Sequence, residues 1–247
     1  MKMKVFFEIH DGNHREGPGD RASTLRALSY VIGLPESFSV LDVGCGPGAQ
    51  TIDLAGALTG TVTALDNHQP FLDELEKRAR SAGLFTRIKT VNATMTDMPF
   101  PPESFSLIWS EGAVYQMGLE NALLAWKKFL KPAGFMALSH IAWLRPDAPP
   151  ECQKFWEDNY PGIATVENNI QVIAKCGYEL AGHFTLPQGA WLESYYLPIE
   201  NKLGLFEERY RHDPGAMETI AAERQEIALY RKYSAYYGYE FFIMRKQ

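Results

Sequence analysis

Val40-Leu41-Asp42-Val43-Gly44-Cys45-Gly46-Pro47-Gly48-Ala49-Gln50-Thr51 sets the fold. A short apolar run ends in an acid, three glycines follow at alternate positions, and a helix-forming segment comes next. Strand, glycine-rich turn, helix is how an α/β protein brings backbone N–H groups to a ligand at the carboxyl edge of its sheet. The turn is therefore expected to offer its N–H groups to something bound.

The same alternation continues outward. Phe38–Val43 reads as the first strand and Ala49–Leu58 as the helix after it. Thr61–Asp66 is a second strand ending in an acid. A helix follows Pro70, with Phe71, Leu75 and Ala79 on one face and Glu74 paired with Arg78 on the other. Arg87–Asn92 is a third strand and Phe105–Ser110 a fourth, apolar enough to be buried on both faces. Leu119, Leu123, Trp126 and Leu130 mark a helix over about 118–130, broken by Pro132-Ala133-Gly134, and Phe135–Ile141 is a fifth strand. Strands alternating with helices of this length imply a mostly parallel sheet with helices on both faces.

Outside that region the rhythm differs. Residues 8–20 are polar and glycine-rich and read as a loop, either a mobile arm or a flap with His14 and Arg15 turned inward. Residues 21–33 read as a helix with Leu25, Leu28 and Ile32 on one face. We expect one domain over 1–247, with an N-terminal arm and helix at 1–34 and helical substrate-side insertions at 145–176 and 190–233. Within the first insertion, helices are expected around Cys152–Asn159 and Val166–Cys176. Tyr178–Leu186 is a sixth strand and Tyr236–Met244 a last one.

Composition narrows the functional classes. The chain has 247 residues, 46% hydrophobic and 22% charged, enough for a substantial core. A net charge of −6 and the lack of a Lys/Arg run argue against a nucleic-acid partner. No signal peptide or membrane span is read, and three widely spaced cysteines suggest a reducing cytoplasm rather than a disulfide framework. No ligand spacing suggests a metal.

Two cofactor readings compete at the turn. Gly44, Gly46 and Ala49 satisfy a dinucleotide pattern, with Asp66 roughly 20 residues on to take a ribose. The alternative comes from resemblance. Leu41-Asp42-Val43-Gly44-Cys45-Gly46-Pro47-Gly48 resembles the first motif of the class I S-adenosylmethionine-dependent methyltransferases, small-molecule type. Ala93-Thr94-Met95-Thr96-Asp97-Met98-Pro99-Phe100 resembles the family's adenine stretch, with Thr94 where an aspartate is usual. Phe105–Ala113 resembles its fourth-strand motif, and Phe129-Leu130-Lys131-Pro132-Ala133-Gly134-Phe135 its turn into strand five. Uncharacterised members carry a leader similar to His14-Arg15-Glu16-Gly17-Pro18-Gly19.

The resemblance covers about residues 22–143 and carries several implications. One is a seven-stranded sheet whose last strand is antiparallel and inserted beside the sixth. S-adenosyl-L-methionine would be the cofactor. Asp42 would partner its ammonium, Gly44, Gly46 and Gly48 would admit its amino-acid end, and Asp66, followed by Asn67, would grip the ribose. Thr94 or Asp97 would take the adenine amine, with the Met95 N–H facing the ring, and Ser110 would border the methyl group. In-line methyl transfer to a small-molecule acceptor is the implied reaction. A protein base is needed for a hydroxyl or carbon acid and not for an amine or thiolate.

Catalytic candidates are His140 as base, Glu111, which could instead bond N–H groups of the next helix, and Tyr115 at the methyl channel. His183 and Cys45 read as packing residues. Trp143, Phe155, Trp156, Tyr160, Trp191, Tyr195 and Tyr196 either line the acceptor site or seal helix against sheet. Methylation of RNA or protein and a non-catalytic S-adenosylmethionine-binding role stay open as alternatives. A homodimer also stays open. Arsenite methylation would need more cysteine thiolates than Cys152 and Cys176 supply.

Overall fold

In a computed structural model, described over residues 2–34 and 38–247, the strand–helix alternation is realised as a single twisted sheet. Met1, the first residue of the expected arm, lies outside the described residues. The strands are β1 (Ser39–Val43), β2 (Thr61–Asp66), β3 (Ile88–Asn92), β4 (Phe105–Ser110), β5 (Leu130–Trp143), β6 (Ala164–Thr165), β7 (Tyr178–Thr185) and β8 (Tyr237–Lys246). Their order is β3-β2-β1-β4-β5-β8-β7, and the two-residue β6 pairs with the end of β5. β1 to β5 are parallel, whereas β8 is antiparallel to both β5 and β7. The expected seven-stranded plan is present, with β6 as an addition.

Side chains alternate across the sheet, so one strand feeds two cores. Val40, Val62 and Trp109 face one core, with Leu54 of α3 (Ala49–Ala57). Leu41, Val43 and Ile108 face the other, with Leu123 and Trp126 of α5 (Leu119–Lys127). Fully burying such a side chain is worth about 1.5–3 kcal/mol. All six residues of β4 are buried, as the sequence predicts. In α4 (Gln69–Ser81) the predicted Glu74–Arg78 pair forms at 3.1 Å.

The N-terminal region departs from expectation. Residues up to His10 are not loop: α1 spans Lys2–His10 and buries Val5 and Ile9. The next helix, α2 (Arg21–Leu28), starts at an Asp20 cap that accepts from the Ser23 N–H, and it stops five residues early. Ile32 is 78% exposed, because Ser23, Thr24 and Ala27 supply the buried face instead. Leu130 likewise belongs to β5, since Ala133 adopts φ 58° inside an irregular start of that strand rather than after it.

The 145–176 segment splits. α6 (Pro150–Asn159) stands at the carboxyl edge, while α7 (Val166–Lys175) lies beside α5 as the crossover into β7. After β7 come α8 (Gln188–Trp191), a π-helical turn over Leu192–Tyr196, α9 (Leu197–Tyr210) and α10 (Pro214–Tyr233). α9 and α10 pack on α1 and form a helical cap with it. Cys45, Cys152 and Cys176 are buried and free. Among the described residues no helix is long and apolar enough to cross a membrane.

Candidate active site

The glycine turn has its N–H groups already engaged. Gly44, Gly46 and Gly48 all adopt positive φ, at 69°, 53° and 85°. This winds the chain so tightly that the Gly44 and Cys45 N–H groups both donate to Leu65 O, at 2.8 and 3.0 Å. The Gly46 N–H donates to Asp66 Oδ2 at 2.9 Å and that of Gly48 to Cys45 O at 3.0 Å. Pro47 has none to give. The expectation of N–H groups offered to a ligand is corrected: this turn has no donor left for a phosphate. At Gly48 a Cβ would sit 2.2 Å from Leu75, so close helix packing also requires the glycine.

A cavity of about 480 Å³ opens at the carboxyl edge beside this turn. That is within the range of drug-sized ligand sites, about 300–1,000 Å³. Gly44, Cys45 and Gly46 form one wall. The ends of β2, β3 and β4 contribute Asp66 and Asn67, Thr94 and Met95, and Glu111 through Ala113. Tyr115 lies at the rim, and Phe6, Phe7, Arg15, Glu16 and Gly17 close over from the N-terminal segment. Eight sequence-predicted residues are thus brought together: Gly44, Gly46, Asp66, Asn67, Thr94, Met95, Glu111 and Tyr115.

Asp66 holds two backbone N–H groups, of Gly46 and His68, each at 2.9 Å. A carboxylate has about four acceptor positions, so two remain for a pair of hydroxyls. Met95 O accepts from the Trp126 indole at 3.0 Å, which ties the 93–96 stretch to α5. Thr94 Oγ1 accepts from the Asp97 N–H at 3.2 Å.

Five expected site residues do not line the cavity. Asp42 is fully buried beneath the turn, and its Oδ2 takes the Thr51 hydroxyl at 2.6 Å. Its Oδ1 has no hydrogen-bond partner among the described residues, and burial pushes its carboxyl up to about 7. Gly48 packs on α4, Asp97 is exposed, and Ser110 donates to Val43 O at 2.9 Å, stitching β4 to β1. His140 is 2% exposed, its Nε2 3.4 Å from the Tyr160 hydroxyl and its Nδ1 without a partner among the described residues. Burial pulls its pKa down to about 4, so it is neutral and weakly basic. Of the two packing residues, Cys45 is buried, and burial raises its thiol well above the usual range. His183 is instead 41% exposed at its side chain and pairs with Glu240 at 2.6 Å.

Glu111 bonds side chains rather than the helix start that was the alternative to a catalytic role. Its Oε1 accepts from Thr24 Oγ1 at 2.8 Å and the Trp109 indole at 2.9 Å, and its Oε2 from Arg15 Nη1 at 2.8 Å. Arg15, 8% exposed, also lies 3.6 Å from Asp53. The leader is therefore an inward-turned strap, though through Arg15 alone, since His14 is exposed. Lys202 donates to Ile9 O, Asp11 O and Asn13 Oδ1 and holds the strap from the cap side.

Phe6, Phe7 and Glu16 were not predicted for the site. Their only signal is Glu16, an acid placed between Arg15 and Gly17-Pro18-Gly19. The aromatic residues of the cap mostly seal: Trp191 stacks on Tyr230 at 4.4 Å, and Trp156 meets Tyr237 edge-on at 4.9 Å.

Comparison with known proteins agrees with this arrangement. Residues 40–134 match the family model described as a methyltransferase domain. The uncharacterized methyltransferase YodH of Bacillus subtilis is 33% identical over 143 residues, covering 58% of this chain and 59% of that protein. The sterol 24-C-methyltransferase erg6 of Aspergillus fumigatus is 25% identical over 182 residues, covering 70% and 48%. The chain spans about half the length of the curated relatives it matches. A S-adenosyl-L-homocysteine complex of a SAM-dependent methyltransferase from Geobacter sulfurreducens superposes with a TM-score of 0.83 at 19% identity, over 99% of this chain and 98% of that one. With the sheet order, the glycine turn and the motif series, these matches show that residues 40–134 form a methyltransferase domain and that the chain shares the fold of a SAM-dependent methyltransferase.

Proposed function

We propose that this protein transfers a methyl group from S-adenosyl-L-methionine to a small-molecule acceptor in the cavity beside the glycine turn. One observation carries the cofactor reading over the dinucleotide one. The N–H groups of Gly44, Cys45, Gly46 and Gly48 are all bonded within the protein, so the turn keeps none for a pyrophosphate, whereas either cofactor brings a ribose to Asp66. When bound, the cofactor supplies a methyl group already made electrophilic by its sulfonium.

This chain's residues then bind, orient and exclude water. Asp66 holds the ribose, with Asn67 beside it. Thr94 and the Met95 backbone face the adenine, on a stretch anchored by Trp126. Phe6, Phe7 and the Arg15–Gly17 strap cover the cavity, and Gly112, Ala113 and Tyr115 flank the methyl side.

The acceptor's chemistry follows from what the cavity lacks. Among the described lining residues the basic side chains are Arg15 and His68, and Arg15 is bonded to Glu111 and close to Asp53. A phosphorylated or carboxylated acceptor finds no free guanidinium there. Glu111 already accepts three hydrogen bonds, and His140 lies outside the cavity. These features favour an uncharged or cationic acceptor with an amine or thiol nucleophile, which needs no protein base.

Calorimetric titration with S-adenosylmethionine, S-adenosylhomocysteine and NAD tests the cofactor. The adenosyl pair should bind and NAD should not, and binding of NAD alone would overturn the reading. Incubation with methyl-labelled cofactor and a metabolite extract should then label a small molecule. Binding without any labelled product would favour the non-catalytic alternative.

A further inference from the structure

The cavity contains three carboxylates, and in two of them both oxygens already accept from protein donors. Asp66 holds two backbone N–H groups and Glu111 three side-chain donors. Glu16 differs. Its Oε2 pairs with His10 Nδ1 at 2.7 Å, while its Oε1 is buried and has no hydrogen-bond partner among the described residues. A buried carboxylate oxygen without a donor is costly and rare, and in a ligand cavity it marks a place for one.

The position of Glu16 narrows the ligand. Its Cγ stands 3.4 Å from where a Cβ on Gly46 would lie, at the middle of the glycine turn. Asp66 approaches the same residue through the Gly46 N–H. The two carboxylates therefore both approach Gly46. With Asp66 on the ribose, Glu16 faces the part of the ligand that continues along the turn, which is its amino-acid end. Asp42, the acid the sequence suggested for that end, is separated from the cavity by the turn itself.

Glu16 is also held in place. His10, 1% exposed, fixes its Oε2 and lies 3.5 Å from Glu223 of α10. Arg78 donates to Asn13 O and His14 O, and the Gly19 N–H donates to Ala190 O at 3.1 Å. A pre-positioned carboxylate makes a strong, charge-assisted bond to an ammonium.

We propose that Glu16 Oε1 accepts a hydrogen bond from the α-ammonium of the bound adenosyl cofactor, so that the N-terminal strap and not the glycine-turn aspartate reads the charged end. The assignment rests on the cofactor reading above and deepens it.

The test is calorimetry on the full chain with S-adenosylhomocysteine and with 5′-methylthioadenosine, which lacks the amino-acid end. Glu16→Gln should weaken S-adenosylhomocysteine about 10- to 100-fold, the range for a hydrogen bond to a charged group. It should change methylthioadenosine by less than about twofold. Glu16→Asp keeps the charge but retracts the oxygen, and its loss for S-adenosylhomocysteine should be intermediate. Equal weakening of both ligands in both variants, or undiminished S-adenosylhomocysteine binding, overturns the assignment and leaves the cofactor reading intact. If neither ligand binds the wild-type chain, the cofactor reading itself falls.

Discussion

The Arg15–Glu111 pair joins the N-terminal strap to the end of β4, and its strength can be measured by a double-mutant cycle. Arg15 and the Glu111 side chain are only 8% and 3% exposed, and their contact is 2.8 Å. In Arg15→Met, Glu111 keeps its Thr24 and Trp109 donors but loses the cation. In Glu111→Gln, Arg15 loses its ion pair with residue 111 and keeps the charge of Asp53, at 3.6 Å. Removing one partner of a buried pair costs about 3–5 kcal/mol when nothing compensates. Both partners here retain other contacts, so each single variant should lose about 2–3 kcal/mol. The coupling energy should be about 2 kcal/mol, the value of a charge-assisted hydrogen bond. For a chain of this size a 2–3 kcal/mol loss lowers Tm by roughly 4–12 °C. Urea unfolding of wild type, both single variants and the double variant provides the cycle. A coupling energy below about 0.5 kcal/mol, the ordinary error of additivity, would refute the idea that this pair straps the leader to the sheet.

Four further outcomes are expected. Gly48→Ala should lower stability by about 3 kcal/mol in urea, because φ is 85° and the new methyl meets Leu75 at 2.2 Å. Burial raises the Asp42 carboxyl to about 7, so the stability its neutral form contributes is complete below about pH 4 and is lost as pH rises towards 7. Asp42→Asn should therefore flatten the stability profile between pH 5 and 8 by on the order of 3 kcal/mol, leaving the same-signed contribution of Glu226. At His10 burial opposes the proton, but Glu16 and Glu223 prevail and raise it to about 9. Its contribution is complete below about pH 6.5 and lost as pH rises through 9, a loss that His10→Gln should abolish in thermal melts. Finally, His140→Gln should keep methyl transfer within about threefold of wild type, whereas a loss beyond about 100-fold would restore His140 as a base.

The sheet was legible because its signals are local. Apolar runs, alternate glycines and strand-end acids survive in a single sequence, and Val40–Thr51 with Thr61–Asp66 already imply the β1–β2 pair. Gly44, Gly46, Asp66, Thr94 and Met95 are legible for the same reason, each lying at or just past a strand end. What the sequence could not show was which groups the turn would bond. Asp42 and Asp66 are both strand-end acids, yet one is sealed under the turn by Thr51 while the other faces the cavity. The end of helix α1 reads as loop from Glu8 onward because its contacts are with Tyr210, Lys202 and Glu223, about 200 residues away. Glu16 is hardly marked in the sequence for the same reason, since His10, which holds it, is itself placed by Glu223.

The insertion of β8 between β5 and β7 constrains how the chain can be made. β5 and β7 never touch as sheet neighbours, so β5 waits for residues 237–246 to gain its second neighbour and β7 waits for them to join the sheet. Residues 186–236 must leave the ribosome in between. During that interval the nascent sheet carries an open, apolar β5 edge over Phe135–Trp143. Such an edge is a template for pairing with another chain. Folding yield in the cell should accordingly be governed by how long that edge waits. Chaperone demand, ribosome pausing before residue 237 and C-terminal truncation should then affect solubility far more than substitutions in the glycine turn do.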